Sequence, residues 1–149
     1  MDIKYRKFKT SDRKIVAELI QNLYREDPDG KPMSPQKIQN TFDSLKDDSD
    51  RGTIIVFEHE SAIIGYAILI NFWSNEFGGN ILNIDELYIK KKFRSQGIGT
   101  KFIKYLAENK FGDSVALQLE VTSGNAKARK LYESLGFKLH ENDTYDLEL

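Results

Sequence analysis

The sequence predicts one α/β (α+β) domain over residues 1–149, built from four helices and about seven short strands. Three observations carry this expectation. Ile15, Val16, Leu19, Ile20 and Leu23 recur at the spacing of one helix face. Residues 53–57 and 62–70 are β-branched and apolar runs; the second is nearly continuous, as in a strand buried on both faces. Residues 84–100 then read as a strand, a basic turn and a glycine-bearing loop that opens a helix.

Taken in order, Ile3, Tyr5 and Phe8 suggest a first strand, and Thr10, Ser11 and Asp12 offer N-caps for the first helix. Pro28, Pro32 and Pro35, with Gly30 among them, mark a loop. Ser34-Pro35 is an N-cap followed by an N1 proline, starting a second helix through Ile38, Phe42 and Leu45. Residues 46–51 form a charged turn, and residues 58–61 turn the chain between the two apolar strands. Residues 71–80, with Trp73, Phe77, Gly78 and Gly79, read as a loop whose aromatics either line a substrate mouth or cap the core. A helix carrying Ile98, Phe102, Ile103 and Leu106 follows the central strand. Residues 114–121 form a strand, 124–135 a helix, and Gly136 ends that helix at C′. Residues 137–140 and 144–149 close the chain as a hairpin around Glu141, Asn142 and Asp143.

Composition removes several function classes. The chain has no cysteine, which excludes disulfides, thiol catalysis and Cys-ligated zinc. A net charge of −1 argues against a general nucleic-acid binder, which would show a basic excess. The first residues lack the apolar stretch of a signal peptide, and no apolar run approaches a membrane span. A soluble cytoplasmic protein without membrane association is the expectation. His59 and His140 stand alone, so no metal site is expected, and no G-x-S-x-G elbow is present.

Gly97 and Gly99 leave room for a ligand to approach the backbone, and the following helix start offers unpaired N–H groups. Such a corner binds anions, usually phosphate. A dinucleotide fingerprint would need glycine at Phe102, and Gly99-Thr100-Lys101 has the wrong order for a nucleotide P-loop. What stands here is Arg94-Ser95-Gln96-Gly97-Ile98-Gly99, or R-x-x-G-x-G. The chain at this point resembles the GNAT superfamily of N-acetyltransferases, whose pyrophosphate signature is Q/R-x-x-G-x-G/A. Asn125-Ala126-Lys127-Ala128-Arg129-Lys130-Leu131-Tyr132-Glu133-Ser134-Leu135-Gly136-Phe137 looks like the second signature of that family, in the family's order.

The resemblance implies a mixed central sheet of about seven strands flanked by four helices, with acetyl-CoA held where the central strand diverges from the next. It implies that backbone N–H groups of Ser95, Gln96, Gly97, Ile98, Gly99 and Thr100 take the pyrophosphate. Arg94 and Lys90, Lys91 and Lys92 add positive charge nearby, although at least two of these lysines are expected to be no more than a solvated turn. N–H groups near Leu87, Tyr88 and Ile89 would polarise the thioester carbonyl and pair with the pantetheine arm. Tyr132 occupies the general-acid position, two turns after Asn125, which would hydrogen-bond the same arm. The alternative for Tyr132 is a core tyrosine.

The acceptor amine must lose a proton before attack, since an alkyl ammonium has a pKa near ~10.4. Asp85 and Glu86 project to opposite faces of their strand, so only one can face the cleft. This pair resembles that of the spermidine/spermine acetyltransferases. Glu120 stands at the position of the proposed base in bacterial enzymes that acetylate N-terminal alanines of ribosomal proteins. The base therefore remains open among these three acids. The leading expectation is acetyl transfer to a small cationic amine. Acetylation of a peptide amine, at an N-terminus or lysine, and a non-catalytic acyl-CoA sensor are the alternatives. The family also makes a homodimer an option.

Overall fold

The computed structural model describes residues 1–27, 30–109 and 111–149. Pro28, the first residue of the expected proline loop, lies outside the described residues. The elements are β1 (Lys4–Lys7), α1 (Arg13–Glu26), α2 (Pro35–Leu45), β2 (Gly52–His59), β3 (Ala62–Ser74), β4 (Gly79–Ile89), α3 (Ile98–Asn109), β5 (Ala116–Leu119) and α4 (Ala126–Ser134). They belong to two units, Met1–Leu119 and Glu120–Leu149.

Local chemistry sets many of the boundaries. The Ser34 hydroxyl accepts from the Lys37 N–H at 3.2 Å and Pro35 opens α2, so the cap-and-proline pair acts as the sequence predicts. Glu60 and Ser61 both adopt positive φ, at 49° and 65°, in the two-residue turn from β2 to β3. A turn with both central residues left-handed matches the twist of its strands. In the second unit Gly136 stands at φ 95°; its N–H reaches the Glu133 carbonyl at 3.0 Å, and that of Phe137 reaches Tyr132 at 3.0 Å. These two bonds are the Schellman closure of α4.

The sheet in the first unit runs β1-β2-β3-β4-β5, antiparallel throughout except for the parallel pair β4–β5. Alternation along the strands builds a core on each face. On one, Ile54, Val56, Tyr66, Ile68 and Tyr88 pack with Val16, Leu19 and Ile20 of α1 and with Ile38, Phe42 and Leu45 of α2. On the other, Phe57 meets Phe102 of α3 with ring centroids 4.7 Å apart, and Tyr5 lies 5.2 Å from both rings.

Two expectations are corrected. Residues 71–80 are not a loop: β3 runs to Ser74 and β4 starts at Gly79, with Phe72 opposite Ile81 and Trp73 opposite Asn80. Ladder pairing holds this polar stretch in strands, and the turn proper is residues 75–78. The sheet has five strands among the described residues rather than seven, because residues 137–140 and 144–149 form none. Leu139, Tyr145 and Leu147 are 75%, 93% and 85% exposed. An alternating pattern supplies one face of a hairpin, but a hairpin persists only when a sheet or helix covers that face.

Candidate functional site

β4 organises the site because it outlasts its neighbour. β5 pairs only with Ile81, Leu82, Asn83 and Ile84, whereas β4 continues to Ile89. Past Ile84, the edge of β4 that faces away from β3 has no strand partner among the described residues. Every second backbone N–H and C=O of that stretch points out of the sheet there. The change coincides with a bulge. Leu69 opposes Ile84 and Ile68 opposes Glu86, so Asp85 is the extra residue. A bulge breaks the ladder locally and re-aims the side chains after it.

The re-aimed side chain of central interest is Glu86. It is half-buried and accepts hydrogen bonds from Tyr24 Oη on α1 at 2.7 Å and from Tyr66 Oη on β3 at 2.8 Å. Burial pushes its carboxyl above the ordinary glutamate range; the two phenols pull the other way, and neighbouring Asp85 adds to the rise. Burial, together with Glu86, raises both phenols, so each stays protonated and donates. Two carboxylate acceptor positions are thus filled, and the remaining lone pairs are available to a further donor. Asp85 is exposed.

Beyond Ile89 a 3₁₀ turn (Lys91–Phe93) leads to a corner with positive φ at Ser95 (62°) and Gly97 (76°). No atom lies within 4 Å of where a Cβ on Gly97 would stand, so its glycine is required by backbone conformation and the space beside it is open. The Lys101 N–H bonds the Gly97 carbonyl at 3.0 Å, closing the first turn of α3. Ile98, Gly99 and Thr100 thus carry the N–H groups that a helix start leaves without an intrahelical acceptor. Arg94 does not project into this corner. Its Nε donates to the Ile89 carbonyl at 2.7 Å, and Nη2 donates to both Glu26 carboxylate oxygens at 3.1 and 2.9 Å. A cleft of about 580 Å³ lies alongside, lined by Tyr88, Lys90, Lys91 and Lys92 and by Asn22, Arg25 and Glu26 of α1.

In the second unit Asn125 is the N-cap of α4; its Oδ1 accepts from the Ala128 N–H at 3.1 Å. That bond occupies the carbonyl oxygen and leaves the amide Nδ2 as the group that can serve a ligand. Tyr132 is half-buried, with its ring edge-on to Phe137 at 5.8 Å, and burial raises its phenol. Glu120 is exposed.

Residues 17–137 match the model of the acetyltransferase (GNAT) family. The chain belongs to the GNAT family. It is 36% identical over 77 residues to the thialysine N-epsilon-acetyltransferase of Sus scrofa, covering 51% of this chain and 45% of the relative. The chain thus spans about half the length of the thialysine N-epsilon-acetyltransferases it matches. The crystal structure of "a possible acetyltransferase from Clostridium difficile 630" superposes with a TM-score of 0.85 at 25% identity, covering 99% of this chain and 97% of that one. An AAC(6')-Iy complex with the bisubstrate analogue CoA-S-monomethyl-acetylneamine shares the fold at a TM-score of 0.77 and 13% identity, covering 100% and 99% of the two chains.

Within this GNAT fold, the first unit gathers Glu86, Leu87, Tyr88, Ile89 and the R-x-x-G-x-G corner along one strand and its continuation. Three participants are not evident from sequence: Tyr24, Tyr66 and Glu26. Tyr66 carried a weak signal, since a tyrosine inside a nearly continuous apolar strand needs a partner for its hydroxyl. Tyr24 and Glu26 carried none, because their partners lie 62 and 68 residues away.

Proposed function

We propose that this GNAT protein transfers the acetyl group of acetyl-CoA to the primary amine of a small cationic compound, by direct attack in a ternary complex. The observation that carries the reading is the continuity of β4. One strand holds a half-buried carboxylate between two phenols, has past Ile84 an edge without a strand partner among the described residues, and runs into a glycine corner that opens a helix. Coenzyme A suits these residues. The N–H groups of Ile98, Gly99 and Thr100 and the open space at Gly97 suit a pyrophosphate, and the β4 edge beyond the reach of β5 suits an amide-bearing pantetheine arm.

When bound, acetyl-CoA supplies a thioester carbon open to attack by an uncharged amine. Among the three candidate acids, Asp85 and Glu120 are exposed whereas Glu86 is half-buried between two phenol donors, and its partial withdrawal from water raises its affinity for a proton. It would pair with the incoming ammonium and receive its proton, directly or through water. Whichever of the alternating N–H groups at Leu87, Tyr88 and Ile89 face away from β3 would stabilise the oxyanion that develops on the carbonyl. Tyr132, protonated at neutral pH, would donate to the departing sulfur, and Asn125 Nδ2 to the pantetheine arm. The relative named for N-epsilon acetylation of thialysine and the fold neighbour carrying a CoA-linked bisubstrate analogue support an amine acceptor.

A thiol-release assay over polyamines, lysine-like amines, aminoglycosides and peptides tests this reading. Turnover confined to small cationic amines is expected. Preference for peptides would redirect the assignment to protein acetylation, and coenzyme A uptake with silence across the panel would indicate a sensor. Tyr132→Phe should lower turnover by roughly 10²-fold while leaving coenzyme A affinity nearly unchanged. Equal loss of both would make Tyr132 a structural support.

A further inference from the structure

Arg94 opens the glycine signature, yet its guanidinium is committed elsewhere through Nε and Nη2. It caps the last carbonyl of β4, at Ile89, and bonds both oxygens of Glu26 at the end of α1. Its carbon centre also lies 5.1 Å over the Tyr88 ring, whose hydroxyl reaches the same Glu26 at 3.4 Å. A planar cation with five fixed donors suits this combination of a carbonyl, a carboxylate and an aromatic face, and a lysine does not. The carboxylate it holds would itself repel a phosphate brought to the same guanidinium.

We infer that Glu26, Arg94 and Tyr88 form a latch that positions the glycine corner against α1, and that Arg94 acts on the cofactor through this latch rather than as a phosphate ligand. This rests on the cofactor reading above. The side chains of Glu26 and Tyr88 then become positioning groups for cofactor binding, although neither side chain needs to touch the cofactor. The arrangement also links the cofactor corner to the helix that supplies Tyr24 to Glu86.

Calorimetric titration of coenzyme A into Glu26→Gln, Arg94→Gln, Arg94→Lys and the Glu26→Gln/Arg94→Gln double variant tests the latch, with thermal unfolding run in parallel. Each single variant should weaken binding by roughly three- to tenfold, the scale of a partly exposed charge-assisted pair. Arg94→Lys should fare no better than Arg94→Gln, and the double variant no worse than either single. The direct-ligand alternative has the opposite sign at Glu26. Unchanged or tighter binding in Glu26→Gln beside a loss in Arg94→Gln would overturn the latch. Additive losses in the double variant would overturn it too. Failure of the unaltered chain to take up coenzyme A would refute the cofactor reading itself, and the latch with it.

Discussion

Glu86 shows how much of this site depends on the surroundings of single side chains. A carboxylate that accepts two phenol hydrogen bonds is fixed in place, and one withdrawn from water holds its proton more tightly. As the proposed base it must be ionised to act, so kcat/KM should fall as pH drops through its raised pKa. The acidic limb of the pH–rate profile should therefore lie above the ordinary glutamate value of 4.5. Tyr66→Phe removes a donor that favours the ionised form and should move the limb to higher pH. Glu86→Gln should lower kcat/KM by about 10²-fold or more and abolish that limb. A limb unmoved by either substitution would transfer the role to another group.

The loop from Ile89 into α3 shows what an element contributes beyond its residues. Gly97 stands at φ 76°, where a side chain costs about 1–2 kcal/mol of backbone strain. Gly97→Ala should lower stability by about 1 kcal/mol in denaturant titration. Gly97→Asp adds a negative charge at the helix start and should weaken coenzyme A binding at least tenfold, as read by calorimetry. Unchanged affinity would mean that the phosphates bind elsewhere. This corner was legible in the sequence because short-range sterics set it: two glycines, a strand before them and an amphipathic helix after. The bulge at Asp85 was not legible, since it exists only relative to the register of β3.

At the scale of the molecule, β1 is tied to the rest of the first unit by Arg6. Its guanidinium bonds both Asp12 oxygens at 2.8 and 2.9 Å and Glu58 at 2.6 Å. Asp12 is 5% exposed. Burial alone would raise its carboxyl, but the hydrogen bonds from Arg6 and the Lys9 N–H hold it below the ordinary 3.8. A depressed folded pKa gives stability that is complete above 3.8 and is lost as pH falls through the folded value. Asp12→Asn should lower stability at neutral pH by about 2 kcal/mol and flatten the acid end of the pH–stability curve. An unaltered acid end would place the pairing's effect below measurement. By itself the sequence determined the helix and strand periods, the α2 cap, the Gly136 stop and the signature that marks the GNAT family, because these follow from contacts a few residues apart. Only the tertiary structure decided which acid is enclosed, that Arg94 serves Glu26, and that residues 137–149 form no strands. Those outcomes depend on desolvation and on partners dozens of residues distant, and such energies arise only once the sheet and its helices have assembled.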